Sequence, residues 1–182
     1  MSYEDVFAKS DTTDAILVVD TKKLHVNKSV LSHHSPFFKS LFEWDFKKES
    51  IDEYPIKNVE FDDFVTLLSL IHGRPITPNG DRVGKILDLA ERFSISSVKP
   101  YLELLLISSD IRHWEKLQIG DKYQLEKLIN HAIDQFTKHD KHNFIKSKLY
   151  YSLSDGTKAQ VLHHLLTLYT CKCPTTIRQA EL

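Results

Sequence analysis

Histidine and cysteine are the residue types in this chain best suited to chemistry, and their spacing decides which chemistry is open to them. Cys171 and Cys173 stand one residue apart, with His163 and His164 upstream. Zinc sites space paired thiolates by about two to four residues and need ligands that converge, so the preferred reading is a helix end followed by a tail, without metal. His33-His34-Ser35 sets imidazoles beside a hydroxyl, the materials of a nucleophile and its base. Adjacent side chains diverge on a helix, however, and Ser35 precedes Pro36, where it serves better as a cap. His139 and His142 lie at i, i+3 in a lysine-rich connector and read as solvated. The chain has no glycine-rich phosphate loop, G-x-S-x-G elbow or H-E-x-x-H motif, and its 5 glycines leave little material for a phosphate cradle. Neither enzymatic activity nor a cofactor is expected.

Composition narrows the partners. The 24 Lys and Arg offset 25 Asp and Glu, so no basic field exists to condense onto phosphates, and no nucleic acid partner is expected. The opening MSYEDVFAKSDTTD lacks the charged start and apolar core of a signal peptide. No apolar run approaches the roughly twenty residues of a membrane helix, so no membrane is expected either. With 2 cysteines placed too close for a long-range staple, a reducing intracellular compartment is the expectation. The 182 residues suffice for one core, or for one domain with a helical extension.

The elements that must position any site change hydrophobic period along the chain. Ala15 to Val19 and Leu24-His25-Val26 read as two strands, with Asp20 to Lys23 as the turn. Helical spacing begins at Lys28 with Val30 and Leu31. A second helix should start at Pro36, with Phe38, Leu41 and Phe42 as its apolar face and Ser35 as its cap. Glu43 to Asp52 is a charged loop broken by Trp44, Phe46 and Ile51. Glu53 to Ile56 is a possible third strand, and Pro55 confines it to a sheet edge or strand end. Phe61, Phe64, Val65, Leu68 and Ile71 form one helical stripe over 60–73, closed by Gly73. A turn-rich connector over 74–80 leads to a helix with Val83, Ile86, Leu87, Ala90 and Phe93 inward. Ser97 then caps another, with Val98, Tyr101, Leu102 and Leu105 as its stripe. Beyond residue 109 the pattern is all helical: Trp114 and Leu117, a stripe from Leu125 to Phe136, a charged break over 138–142, and a short helix at Phe144 and Ile145. A last helix, capped by Ser154, should bury Leu162, Leu165, Leu166 and Tyr169. A small sheet among many helices makes an α+β fold.

The order Asp14, apolar strand, Leu24-His25-Val26, Lys28, Val30-Leu31, Ser35-Pro36-Phe37-Phe38 and Leu41-Phe42 resembles the opening of a BTB/POZ domain. The resemblance continues through the helices to Leu105, with Ile71 where the family usually has Tyr two residues before the Gly of its long helix. Asp121 to Leu128 is similar to the helix pair that follows the BTB core in MATH-BTB and related BTB-only proteins. The resemblance covers about residues 7–170 and implies an arm over 1–13, a BTB/POZ domain over 14–109, a helical extension over 110–170 and a tail over 171–182. It leaves no room in this chain for a separate MATH, kelch or zinc-finger module.

What the family does is then the expectation. It implies pairing with itself or another BTB protein, with Asp14 and Lys28 meeting in a pocket near the dimer interface. The alternative is a partly exposed surface pair. It further implies docking on a cullin, so that a bound target is ubiquitinated, through the neighbourhoods of Phe46, Glu49, Phe61 and Phe64. Family adaptors often place Glu two positions after an apolar residue in that loop. Here Phe46 is followed by Lys47 and Lys48, so Glu49 comes one place late. An oligomerising scaffold without a ligase role is the alternative, and no signature names a target.

Overall fold

The computed structural model describes residues 3–43 and 53–170. The chain divides into two compact units, Met1–Ser109 and Asp110–Leu182. In the first, a one-turn helix α1 (Tyr3–Val6) precedes strands β1 (Ala15–Val19) and β2 (Lys22–Val26). β2 begins earlier than its apolar residues suggest: Val19 pairs with Lys22, so the turn is only Asp20-Thr21. Asp20 takes the left-handed conformation (φ 54°), which Asp tolerates better than most residues.

Helices α2 (Lys28–His34) and α3 (Pro36–Glu43) follow and lead to β3 (Glu53–Ile56), which runs parallel to β1. The strand order is β2-β1-β3, so Pro55, opposite Val18, lies on an edge strand where a missing N–H breaks no inner ladder. Ser35 between the two helices is buried; its hydroxyl accepts the Phe38 N–H at 3.0 Å and donates to the Phe93 carbonyl at 2.6 Å. The cap thereby also ties α3 to a distant part of the chain. Phe38 and Phe42 are buried as expected, while Leu41 is only half-buried.

Helices α4 (Phe61–Ser69), α5 (Val83–Arg92) and α6 (Lys99–Ser108) complete the unit. α4 stops well short of Gly73, because Ser69 donates its hydroxyl to the Thr66 carbonyl at 2.6 Å and accepts the Ile76 N–H at 2.9 Å, turning the chain there. Nor does Ser97 cap α6. Its hydroxyl lies 3.0 Å from His34 Nδ1, and a 3₁₀ turn over Ser96–Val98 starts the helix instead. That turn buries Val98, and α6 buries Leu102 and Leu106; Tyr101 is exposed and Leu105 half-buried, one step round the helix from the expected stripe. The core centres on Phe93, which stacks on Phe38 with centroids 5.6 Å apart and meets Phe64 at 5.1 Å.

The second unit contains α7 (His113–Tyr123), α8 (Glu126–Asp134), α9 (Asp140–Lys146), α10 (Lys148–Ser152) and α11 (Asp155–Thr170). α7 and α8 approach closely at Gly120, where a Cβ would stand 2.8 Å from Ile129 Cγ1. The α8 stripe from Leu125 to Phe136 is buried as its period requires. The charged stretch 138–142 is no simple break, since α9 already starts within it. Thr137 donates both its N–H and its hydroxyl to Asp140 Oδ2, each at 2.7 Å, and so turns the chain into the helix.

Ser154 caps α11 by accepting the Thr157 N–H at 3.3 Å. Asp121 holds that cap from α7, accepting the Ser154 hydroxyl at 2.5 Å and its N–H at 2.9 Å. Burial would raise the Asp121 pKa, but the hydrogen bonds from Ser154 and Thr157 outweigh it and hold the carboxyl below the ordinary range. α11 buries Val161 and Leu165 with Leu162 and Leu168 packed beside them. Leu166 is 56% exposed, and the side chain of Tyr169 lies outside the described residues. The buried face therefore sits one residue back from the expected one.

Candidate functional site

The N-terminus of α2 is built by two side chains, Asp14 just before β1 and Asn27 just after β2. Asp14 Oδ1 accepts the Lys28 N–H at 2.7 Å, and Asn27 Oδ1 accepts the Val30 N–H at 3.0 Å. Both satisfy N–H groups that have no acceptor inside the helix, and the Asp14 carboxylate also complements the positive end of the helix dipole. Asn27 Nδ2 donates to the Thr12 carbonyl at 2.6 Å, which fixes the chain leading into β1. Asp14 and Lys28 are thus brought together, with the Lys28 N–H as the group Asp14 accepts. The Asp14 side chain is exposed; Lys28 is half-buried, its ammonium 5.6 Å from the Tyr54 ring centre and 5.9 Å from that of Phe42.

Phe46 and Glu49 lie outside the described residues. Phe61 and Phe64 are 7% and 0% exposed, so neither offers a face to a partner. Phe61 is covered by Tyr3 at 4.9 Å, edge to face, and by the Lys22 ammonium 4.0 Å from its centre. Phe64 packs on Phe93. Spacing along α4 identifies them as one stripe, and the stripe is the core side. What α4 shows to solvent is Asp62, with Thr66 half-exposed and Glu60 at its start. Asp63 is buried beside them, 2.7 Å from Arg82 Nε, in a cleft of about 140 Å³ that Asp62, Thr66 and Pro78 also line.

The chemistry-bearing residues are dispersed. Ser35 is occupied by its two hydrogen bonds, and the hydroxyl that meets an imidazole is that of Ser97 beside His34. His139 and His142 are exposed. No group of three His, Cys, Asp or Glu that could hold a metal occurs among the described residues, and Cys171 and Cys173 lie outside them. No helix among the described residues is long and apolar enough to cross a membrane. Sequence reasoning missed two half-buried imidazoles, His72 and His113, whose buried Nε2 atoms have no hydrogen-bond partner. His72 falls four residues after Leu68 and His113 four before Leu117, in register with buried positions, and that spacing was the available signal.

The BTB/POZ domain family model matches residues 3–110. A BTB/POZ domain-containing protein of Caenorhabditis elegans is 34% identical over 92% of this chain and 54% of its own length. BTB and MATH domain-containing protein 36 of the same organism is 31% identical over 88% of this chain and 51% of its own. The chain therefore spans about half the length of the curated relatives it matches. Among solved structures, the BTB domain of human gigaxonin is similar with a TM-score of 0.45 and 20% identity, over 52% of this chain and 78% of that one.

Proposed function

Because this chain belongs to the BTB/POZ family, whose domains are protein-interaction modules, we propose that it is a self-associating adaptor that holds a target protein beside a cullin-based ubiquitin ligase. The Asp14–Lys28 junction carries the self-association part of the reading. It locks the start of β1 to α2 and leaves a carboxylate at the surface, where a second BTB domain would meet it. Such an adaptor needs no acid, base or nucleophile. It acts by raising the effective concentration of a target near the ligase.

Light scattering on the purified chain over a concentration series is expected to give twice the mass of 21.1 kDa. Asp14→Leu removes an acceptor worth about 1 kcal/mol at a helix start and is expected to lower the thermal midpoint by about 2–4 °C while weakening the dimer. A monomer at every concentration would overturn self-association, and an unchanged mass and midpoint in the variant would remove Asp14 from it.

Pull-down with purified cullin tests the other half. Binding that is lost on Phe46→Ala supports the adaptor. The order Phe46-Lys47-Lys48-Glu49 favours a second reading, a scaffold for other BTB proteins, since a lysine stands where family adaptors often carry the acid. A misplaced charge desolvated in an interface can cost several kcal/mol, enough to abolish a micromolar contact. No cullin binding at high micromolar concentration, with the dimer intact, would establish the scaffold.

A further inference from the structure

Phe7 anchors the N-terminal arm. Its ring is 2% exposed and stands edge-on to the His72 imidazole, with centroids 5.1 Å apart and planes at 82°. Its carbonyl accepts the His25 N–H at 3.1 Å, so the arm covers the outer edge of β2. His72 Nε2, in turn, is buried without a hydrogen-bond partner. We propose that His72 is an acid-sensitive latch for the arm: the neutral imidazole packs with Phe7, and the protonated one releases the arm and opens the β2 edge.

A neutral ring leaves at Nε2 one unsatisfied polar atom, a tolerable loss. A protonated ring carries an N–H donor on both nitrogens, and the one at Nε2 would be a buried charge with nothing to accept it. The Phe7 ring offers such a cation only a cation–π contact, weaker than the hydration it would lose. The surrounding charges add to the penalty. α2 contributes His34, the connector after α4 contributes Arg74, and the arm contributes Lys9 and Asp5, the last three lining one cleft with His72. One carboxylate thus opposes two permanent cations and a second imidazole.

The sign follows. Burial, and then His34, hold the His72 pKa below the ordinary imidazole value of about 6.5. The released arm therefore binds more protons than the docked arm, and docking weakens as pH falls through about 6.5 until the depressed value is passed. Above that window the latch is closed. Below it, β2 presents an unpaired strand edge, the kind of surface onto which another polypeptide can add a strand.

Amide hydrogen exchange read by NMR on the whole chain at pH 7.5 and 5.5, corrected for chemical exchange, tests the latch. The protection of the His25 amide is expected to fall severalfold on acidification, up to the ceiling of about tenfold that one imidazole allows over this interval, while that of Leu17, inside the sheet, holds. His72→Phe keeps a ring but cannot titrate, and it should abolish the pH dependence. Unchanged His25 protection in the native chain overturns the proposal. So does an equal loss in His72→Phe, which would move the cause to His25 or His34. Should His72→Phe not fold, His72→Gln, which keeps a polar side chain but cannot titrate, takes its place and should likewise abolish the pH dependence; a loss as large as that of the native chain overturns the latch.

Discussion

Replacing Phe93 with alanine is expected to cost about 3–5 kcal/mol, a large part of the roughly 5–15 kcal/mol that holds a domain folded. Phe93 is 1% exposed and lies at the end of α5, yet its ring meets side chains from α3 and α4: Phe38 at 5.6 Å, Phe37 at 5.1 Å and Phe64 at 5.1 Å. Truncation would open a cavity bordered by separate elements, which cannot all close on it. The backbone at Phe93 matters as well, because its carbonyl accepts the Ser35 hydroxyl that starts α3. Urea denaturation should show the midpoint falling with little change in slope. Phe37→Ala is the control, since that ring is 40% exposed and its loss should cost about 1 kcal/mol or less. A Phe93→Ala variant within about 1 kcal/mol of the native chain would mean that the aromatic cluster does not organise this unit.

How much of this could be read from the sequence depended on whether the signal was local. The run Ala15–Val19, the Ser35-Pro36 punctuation and the edge position of Pro55 are consequences of β-branching, a missing N–H and a fixed φ, which act within a few residues. The buried stripe of α8 is likewise a matter of period. Helix ends were less legible. α5 and α7 are followed by left-handed residues, Ser94 (φ 54°) and Gln124 (φ 56°), where glycine or asparagine would have been the signal. The N–H groups of Ile95 and Leu125 return to the Ala90 and Gly120 carbonyls at 2.8 Å and close those ends without a diagnostic residue.

The candidate site was legible to a different degree. Asp14 and Lys28 are linked by a backbone bond that no side-chain pattern announces, and the Asn27 cap beside it was not foreseen. For Phe61 and Phe64, helical spacing reports sidedness alone. An apolar stripe identifies the surface that is hidden, so the stripe of Phe61 and Phe64 marks the core side of α4. His72 shows the converse. A buried polar atom without a partner arises only from the meeting of the arm with the connector after α4, two segments far apart in the chain.

The second large effect belongs to Phe144, whose replacement by alanine is expected to cost about 3–5 kcal/mol and to melt α9 and α10 first. Those helices have 7 and 5 residues, too short to persist on helical propensity, so tertiary anchors must hold them. Phe144 is 0% exposed and meets Phe136 at 5.6 Å, Tyr150 at 5.4 Å and Trp114 at 5.9 Å. Without its ring, the turn of Thr137 onto Asp140 would remain as a local hold. Burial raises the Asp140 pKa, but the bonds from Thr137 dominate and keep it below the ordinary carboxyl range, so this stabilisation is present above about pH 4 and is lost as pH falls further. His113 acts sooner on acidification. Burial lowers its pKa against the pull of Asp140, so its neutral form favours the fold, and stability falls as pH drops through about 6.5. The Phe144→Ala variant should therefore lose more of its helical circular dichroism at pH 5.5 than at pH 7.5, and exchange over residues 137–153 should accelerate before that of α8. Equal exchange in both regions would show that α9 and α10 unfold only together with the rest of their unit.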